Sequence, residues 1–294
     1  MDLTVVLVNY KCDKIKLNNC LNSITINVKV IIIDHSNDFT TDGLNIPKNI
    51  ILEVYKKKNL GNGAGINRGF ELVGTRYILY LDIDTTLAKN FFLTINDSLK
   101  KIKNFAVILP KIENHYKGPK LFGGLLWWQF LYNKIFFKIK KRDIVPGYIS
   151  QVFTGSGAIM LIDKKNTFEK NIKFDENIFL FFEENDFFHQ CFKVGQKIFI
   201  LDNLKSYHFD GSINDDRLEY ECFKKWHWEW SKYYFFNKHY NSYFISIIAL
   251  KNIFIFSIKI LFYFFLNTAK FNIFKSRLNG IISYFKNKNS YLRF

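Results

Sequence analysis

The sequence predicts an α/β domain, a sheet flanked by helices, followed by a basic amphipathic helical extension. Short apolar runs rich in β-branched residues alternate with polar, helix-compatible stretches over the first 110 residues. From residue 231 onward the chain contains ten lysines and arginines and no acidic residue. We therefore divide the chain into an α/β domain at residues 1–225 and an aromatic, basic helical region at residues 226–294.

Five apolar runs are the predicted strands: Thr4–Val8, Val28–Ile33, Ile50–Val54, Tyr77–Leu81 and Ala106–Leu109. Their β-branched content, and spacings that leave room for crossover helices, predict buried parallel strands. In such sheets ligands bind beyond the carboxyl ends of the strands. The polar residues that follow three of these runs are therefore candidate site residues: Asn9 and Tyr10, Asp34–Asn37, and Asp82–Asp84.

Residues 111–150 show a less regular pattern than the segments around them. They contain the aromatic stretch Leu125–Phe130 and the basic cluster Lys138–Arg142. Either a variable insertion or a loop on the substrate side of the domain fits this composition. Regular structure is predicted to resume at Gly155–Ile162, where small residues run into an apolar strand.

The acid-free region contains a segment with helical periodicity. On a helical wheel, Lys251, Lys259 and Lys270 lie on one side with two asparagines, and large apolar residues occupy most of the rest. This pattern is typical of a helix that lies in a membrane interface and is attracted to anionic lipids. A spanning helix ranks second because Lys251 and Lys259 interrupt the apolar window, which needs ~20 residues. Packing of the helix against the α/β domain is the structural alternative to both.

Composition narrows the class of protein. With 48% hydrophobic and 23% charged residues the chain can form a sizeable core. The net charge of +16 suggests a polyanionic partner. A codon bias that favours Lys together with Asn, Ile and Phe is the alternative explanation of the charge. The four cysteines have no metal-binding spacing, which favours unpaired thiols in a reducing compartment. The sequence starts with a predicted strand rather than a leader, so we expect a cytoplasmic protein.

Asp82 and Asp84 are the candidate metal ligands. Two carboxylates one residue apart, at the end of a strand, can hold Mg²⁺ or Mn²⁺ together with phosphate oxygens. The motif is weak alone, since many such pairs are solvated turns.

A glycine-rich segment, Asn59–Gly69, precedes this pair. Its alternating glycines suggest a loop entering a helix where the backbone approaches a ligand closely. A flexible turn before a helix is the alternative. The segment is neither a dinucleotide fingerprint nor a P-loop, because the required strand context and Lys-Ser/Thr ending are missing.

The motifs VVLVNYK, IIIDHSN, NLGNGAGINRG, YLDIDTTL, GSGAIMLI, FDENIFLFFEENDFFHQC and SYHFDGS occur in the order found in glycosyltransferase family 2. The resemblance covers about residues 1–240. KWHWEWSKYYFFNKHY and the terminal RLNGIISYFKNKNSYLR are similar to rhamnosyltransferase-type bacterial members, which usually build surface polysaccharides. The resemblance implies a GT-A fold, a nucleotide-binding α/β domain.

The family resemblance also implies roles for individual residues. Asp34 would bind the pyrimidine base and Asn9 and Tyr10 would border the nucleotide. Asp82 would contact the ribose or the metal, Asp84 would ligate the metal, and His208 aligns with a histidine that contacts the metal or diphosphate. The candidate residues for sugar nucleotide binding in the glycine-rich segment are Asn59, Gly61, Asn67 and Arg68.

A second acidic segment carries the candidate catalytic base. Where the family has Glu-Asp-x-Asp, this chain has Glu183-Glu184-Asn185-Asp186. The alignment places the base at Glu184, and the substitution of glutamate for aspartate leaves Glu183 as a rival. A solvated acidic helix start is the alternative, but the apolar run before it suggests a partly buried carboxylate.

Three tryptophans follow at alternate positions, Trp226, Trp228 and Trp230. We expect them to pack at the junction with the helical extension, and an aromatic platform that stacks on sugar is the second interpretation.

The sequence thus predicts a metal-dependent, inverting glycosyltransferase that moves a sugar, with rhamnose as first candidate. The donor would be a dTDP- or UDP-sugar, and the acceptor a lipid-linked glycan or oligosaccharide. The basic tail would hold the enzyme peripherally on an anionic membrane, at the inner face of the plasma membrane. A sugar nucleotidyltransferase and a catalytically impaired membrane scaffold are the alternatives. Nucleic-acid binding is not expected, because the basic residues concentrate in the amphipathic tail.

Overall fold

A computed structural model describes residues 1–36, 38–113, 144–145, 149–209 and 217–290. Four sequence features lie wholly or partly outside the described residues: Asn37, the aromatic stretch Leu125–Phe130, the basic cluster Lys138–Arg142 and the Asp210–Ser212 end of the histidine motif.

The described strands are β1 (Leu3–Asn9), β2 (Val28–Asp34), β3 (Ile50–Lys56), β4 (Tyr77–Leu81), β5 (Thr85–Leu87), β6 (Phe105–Ile112), β7 (Ile144–Val145), β8 (Ile149–Val152), β9 (Ile159–Asp163) and β10 (Lys197–His208). The described helices are α1 (Lys14–Asn22), α2 (Asn62–Leu72), α3 (Phe91–Lys101), α4 (Glu183–Lys193), α5 (Leu218–His239), α6 (Ser242–Tyr263) and α7 (Thr268–Phe285), with short 3₁₀ turns at Lys164–Asn166 and Phe168–Lys170.

The described strands form one ten-stranded mixed sheet in the order β3-β2-β1-β4-β9-β6-β10-β8-β7, with β5 paired to β10. The five predicted strands are confirmed, and each has a parallel neighbour. The sheet is mixed rather than wholly parallel, because β9 lies antiparallel between β4 and β6. The expectation of complete burial is wrong for β3, an edge strand on which Ile51 is 68% exposed.

The core of the sheet is made of β-branched and leucine side chains. Val5, Leu7, Val30 and Ile32 are fully buried in the parallel strands β1 and β2, as expected for a sheet covered by helices. The register aligns the last residues of these two strands, Asn9 and Asp34. Polar side chains at the carboxyl ends of neighbouring strands are therefore adjacent.

The four cysteines are unpaired, as the sequence predicts. Burial raises the pKa of the Cys20 thiol and of the Cys191 thiol to about 12, and that of Cys12 to about 11. These thiols are therefore protonated at neutral pH and are poor nucleophiles.

The chain divides into two compact units. A sheet unit contains Met1–Asn59, Gly65–Lys173 and Phe187–Asn214, and a helical unit contains Leu60–Ala64, Phe174–Asp186 and Asp215–Phe294. The predicted division at residue 225 falls within α5 and stays a prediction. The Leu60–Ala64 and Phe174–Asp186 segments belong to the same unit as the C-terminal helices, although they are far from them in sequence.

Close packing of α5 against α7 organises the helical unit. Trp226 donates its indole N–H to Asn279 Oδ1 at 2.9 Å, and a Cβ at Gly280 would lie 2.5 Å from the Trp226 carbonyl oxygen. Glu229 is fully buried and pairs with Arg277 (Nε to Oε1, 2.8 Å) and with Lys232. The backbones can approach this closely because residue 280 has no side chain.

Helix α6 is the most apolar of the described helices. Six of its exposed large side chains recur every three or four residues: Tyr243, Ile247, Leu250, Phe254, Ile258 and Leu261. By length and composition it is capable of crossing a membrane, which Lys251 and Lys259 do not prevent. The predicted basic amphipathic character of this region stays a prediction.

Candidate nucleotide-sugar and acid–base sites

The carboxyl ends of β1 and β2 form a polar cluster around Asp34. Asp34 Oδ1 accepts three hydrogen bonds, from Asn9 Nδ2 at 2.7 Å, from the Ser36 hydroxyl at 2.6 Å and from the Ser36 backbone N–H at 3.0 Å. Asp34 Oδ2 is buried and has no hydrogen-bond partner among the described residues. A buried carboxylate oxygen without a donor is costly, so the site is suited to a ligand that supplies an N–H or O–H.

Asp82, Asp84 and His208 form a second cluster, at the carboxyl end of β4. The antiparallel pairing of β5 with β10 sets His208 opposite Thr85, directly after Asp84. His208 Nε2 lies 3.2 Å from Asp84 Oδ1 and 4.0 Å from Asp82 Oδ2. Asp82 Oδ1 also accepts a hydrogen bond of 2.6 Å from Tyr80. These contacts fix both carboxylates and the imidazole at one point.

The donor set of this second cluster fits a divalent cation. One ligand atom from each of Asp82, Asp84 and His208 can be chosen so that all lie within 4.8 Å of one another. Carboxylate oxygens favour Mg²⁺ and Mn²⁺, and imidazole is a common ligand of transition metals. Asp84 is almost fully buried, whereas Asp82 and His208 are half-buried, which leaves one side of the cluster accessible.

The glycines of the predicted ligand-binding loop allow close contacts within the protein. A Cβ at Gly65 would lie 2.7 Å from the His35 ring and 2.8 Å from Val8, and one at Gly69 would lie 2.4 Å from Val6. Helix α2 can therefore pack directly on the β1 strand. Burial lowers the pKa of His35 against the opposing effect of Asp34, which favours the neutral imidazole.

Gly61 has a φ of +110°, and a Cβ there would lie 2.5 Å from the Phe179 carbonyl oxygen. The Asn62 backbone N–H donates to that same oxygen at 3.0 Å. The loop is thus attached, within the helical unit, to the segment that precedes the acidic motif. The sequence could not distinguish this contact from a close approach to a ligand.

Glu183 is the buried member of the acidic motif. Asn62 Nδ2 donates to Glu183 Oε1 at 3.0 Å, whereas Oε2 is buried and has no partner within the described part of the chain. Burial raises the pKa of Glu183 above its ordinary value. Glu184 is half-buried, and its Oε1 accepts from Asn185 Nδ2 at 3.2 Å. The two candidate bases therefore have different environments.

A buried ion cluster that the sequence did not indicate lies two residues after Glu184. The fully buried Asp186 contacts His239 Nε2 at 2.6 Å and Lys238 Nζ at 2.8 Å, and Lys238 also binds Asp175 at 2.6 Å. These contacts attach the first turn of α4 to the end of α5. Asp186 was visible as part of an acidic run, but nothing in the local sequence indicates its basic partners.

Four other residues were predicted to bind the nucleotide: Tyr10, Asn59, Asn67 and Arg68. Tyr10 is 41% exposed, directly before Lys11, which has a positive φ. Asn67 is buried within α2, and Arg68 lies on that helix's surface with its guanidinium 3.1 Å from Glu71. Asn59 precedes α2. Roles for these residues in nucleotide binding stay predictions.

A ten-stranded α/β sheet with an Asp-x-Asp and histidine cluster at its carboxyl edge defines a GT-A type fold. The family model described as glycosyl transferase family 2 matches residues 4–167. The chain therefore belongs to glycosyl transferase family 2.

Solved structures show the same fold at low sequence identity. TarS of S. aureus is 14% identical with a TM-score of 0.56, over 97% of this chain and 55% of that one. TarS 1–349 in complex with UDP-GlcNAc is 15% identical with a TM-score of 0.53, over 100% of this chain and 94% of that one. GalNAc-T7 with UDP, GalNAc and Mn²⁺ is 16% identical with a TM-score of 0.53, over 80% and 50%. This chain thus spans about half the length of two of these proteins. No protein with a curated description matches it.

Proposed function

We propose that this protein is an inverting glycosyltransferase that uses a nucleoside diphosphate sugar. The observation that carries the proposal is the convergence of Asp82, Asp84 and His208 at the edge of a family 2 sheet. Carboxylates and an imidazole at the rim of such a sheet are suited to bind the diphosphate of a donor through a divalent cation.

Asp34 supports a donor with a uracil or thymine base. Its Oδ1 is saturated by Asn9 and Ser36, and its buried Oδ2 needs a donor. Uracil and thymine both present an N3–H, so a UDP- or dTDP-sugar satisfies this oxygen. The similar TarS 1–349 structure holds UDP-GlcNAc and that of GalNAc-T7 holds UDP, which agrees with this choice.

Asp84 and Asp82, with His208, would hold Mg²⁺ or Mn²⁺. When bound, such a cation supplies positive charge that stabilises the departing diphosphate. The chain's own contribution is orientation, since Tyr80 holds Asp82 at 2.6 Å and the pairing of β5 with β10 holds His208 beside Asp84.

Glu184 is proposed as the general base. As the acceptor oxygen forms a bond to the anomeric carbon, its proton passes to a Glu184 carboxylate oxygen, and the bond from that carbon to the diphosphate breaks. Attack from the face opposite the leaving group inverts the anomeric centre. The half-buried Glu184 can reach an acceptor, whereas Glu183 is buried and bonded to Asn62. Glu183 remains the rival base.

Rhamnose from dTDP-rhamnose is the proposed sugar, and a lipid-linked glycan for a bacterial surface polysaccharide is the proposed acceptor. Both rest on the motifs shared with rhamnosyltransferase-type members and on the acid-free C-terminal region.

The C-terminal region is proposed to lie on an anionic membrane at the cytoplasmic side. Exposed apolar side chains of α6 form a stripe, and the exposed Lys251 and Lys259 of α6 and Lys270 and Lys275 of α7 are suited to anionic headgroups. Phe254→Glu together with Leu261→Glu should abolish cosedimentation with vesicles containing phosphatidylglycerol. Leu93→Glu, an equally exposed leucine on α3, is the control and should bind as wild type.

A peripheral protein should be released from membranes by alkaline carbonate, whereas a spanning α6 would stay in the pellet. Equal vesicle binding by the double variant and wild type would refute the membrane proposal.

The decisive test of function is a panel of UDP- and dTDP-sugars with Mg²⁺ or Mn²⁺, followed by release of free nucleoside diphosphate. We expect turnover of at least one donor that is lost on chelation and in Asp84→Asn. Asp97→Asn, an exposed carboxylate on α3, is the matched control and should keep full activity. Full activity of Asp84→Asn in the presence of chelator would refute the metal site. Nucleotide binding without turnover of any donor would favour the catalytically impaired scaffold, and synthesis of a sugar nucleotide from sugar phosphate would favour the nucleotidyltransferase.

A further inference from the structure

The three alternating tryptophans of α5 differ in their surroundings. Trp226 and Trp230 are each 4% exposed, and their indole N–H groups donate to Asn279 and to the Lys288 carbonyl oxygen. Trp228 is 44% exposed. Two of the tryptophans are therefore part of the packing between helices, and the third presents its indole to solvent.

Trp228 lies against the segment that leads into the proposed base. Its ring centroid is 5.4 Å from that of Phe181 and 5.1 Å from that of Phe182, both in edge-to-face arrangements. Phe182 is bonded directly to Glu183, and Glu184 follows. An exposed aromatic surface thus adjoins the acidic motif within the helical unit.

The backbone of this segment is strained. Phe181 and Phe182 have φ values of +64° and +68°, in the left-handed region that bulky side chains avoid. Packing holds them there, since the Phe182 ring also contacts Phe235 at 5.7 Å and Phe236 at 6.0 Å. Strain that the surrounding structure maintains is typical of binding and catalytic segments.

We propose that Trp228, together with Phe181, forms the surface on which a sugar ring of the acceptor packs. This inference rests on the proposed glycosyltransferase function and names an acceptor subsite for it. The C–H groups on one face of a pyranose are weakly positive and complement the negative face of an indole, while the sugar hydroxyls stay hydrated. An acceptor sugar is the occupant because the surface adjoins the residues proposed to deprotonate an acceptor hydroxyl.

The test compares Trp228→Phe with Trp228→Leu, which both fill space but differ in whether a π face remains. Binding of methyl α-L-rhamnoside, methyl β-D-glucoside and methyl β-D-galactoside is measured by saturation-transfer NMR in the presence of UDP and Mg²⁺. We expect Trp228→Leu to raise the dissociation constant of a bound glycoside about tenfold, and Trp228→Phe to stay close to wild type. Phe285→Leu, an aromatic of equal exposure on α7, is the control.

Unchanged melting temperature and UDP affinity in Trp228→Leu would exclude a purely structural effect. Equal glycoside affinity in the leucine and phenylalanine variants, or no glycoside binding by wild type at millimolar concentrations, would overturn the proposal. Its failure is separable from that of the proposed function, because donor hydrolysis without acceptor does not require Trp228. If the wild-type protein hydrolyses no donor, the proposed function is refuted. If it hydrolyses a donor but the Trp228 variants bind glycosides as well as wild type, only the acceptor subsite is refuted.

Discussion

Replacing Asp34 by asparagine changes the chemistry of one atom in the proposed nucleotide pocket. Oδ1 accepts from Asn9 Nδ2 and from two groups of Ser36, so the amide oxygen of an asparagine must take this position. The amide NH₂ is then placed where Oδ2 lies, a buried position with no partner among described residues. An acceptor becomes a donor while the rest of the pocket stays in place.

The magnitude follows from the hydrogen bond that is lost. A bond from the N3–H of uracil or thymine to a charged carboxylate contributes about 1.5–3 kcal/mol, and the variant also sets two N–H donors against each other. We expect a total loss of about 3 kcal/mol, which corresponds to roughly 150-fold weaker nucleotide binding.

Isothermal titration calorimetry with UDP and dTDP measures this change, and the melting temperature checks the fold. N3-methyl-UDP provides a second, independent arm, since it lacks the same N–H. Wild-type protein should discriminate strongly against it, and Asp34→Asn should discriminate little. A change in UDP affinity below about threefold in a folded variant would refute the assignment of Asp34.

Two further predictions concern the acidic motif. Glu184→Gln should lower kcat by about 10²–10⁴-fold with unchanged donor affinity, because it removes the proton acceptor alone; a larger loss in Glu183→Gln than in Glu184→Gln, in steady-state kinetics, would move the base to Glu183. Burial raises the pKa of Glu183 in the folded protein above that in the unfolded chain. The free energy of unfolding therefore falls as the pH rises above the ordinary pKa of a glutamate. Glu183→Gln should therefore melt at a higher temperature than wild type at pH 8, with the difference shrinking towards pH 4; a gap that widens on acidification contradicts this sign.

The five strands and their polar ends could be located from the sequence. A buried strand appears as an apolar run, and the end of the strand appears as the polar residues that follow it. Asn9 and Asp34 could be expected together for that reason. The pairing of β9 between β4 and β6 could not, since which strands become neighbours depends on contacts far apart in the chain. The same limit applies to Asp186 and its partners Lys238 and His239.

Helical geometry could have separated the tryptophans. Residues four apart share a face of a helix, and the residue midway between them points to the other side. Trp226 and Trp230 thus face α7 while Trp228 is exposed. The glycines were ambiguous for a different reason, because a missing Cβ permits close approach without indicating what approaches. At Gly61 the neighbour is the Phe179 backbone.

The late position of Ser290 in the chain affects the order in which parts of the protein can fold during synthesis. Its hydroxyl donates to the Asn177 carbonyl oxygen at 2.5 Å and accepts from the Phe179 backbone N–H at 3.2 Å. During synthesis the chain emerges from its N-terminus, so the strands β1 to β4 leave the ribosome long before residue 290. A nascent chain can therefore assemble that part of the sheet before Ser290 is available to bond the segment that leads to Glu183 and Glu184. The proposed nucleotide site around Asp34 should then form before the segment that carries the proposed base.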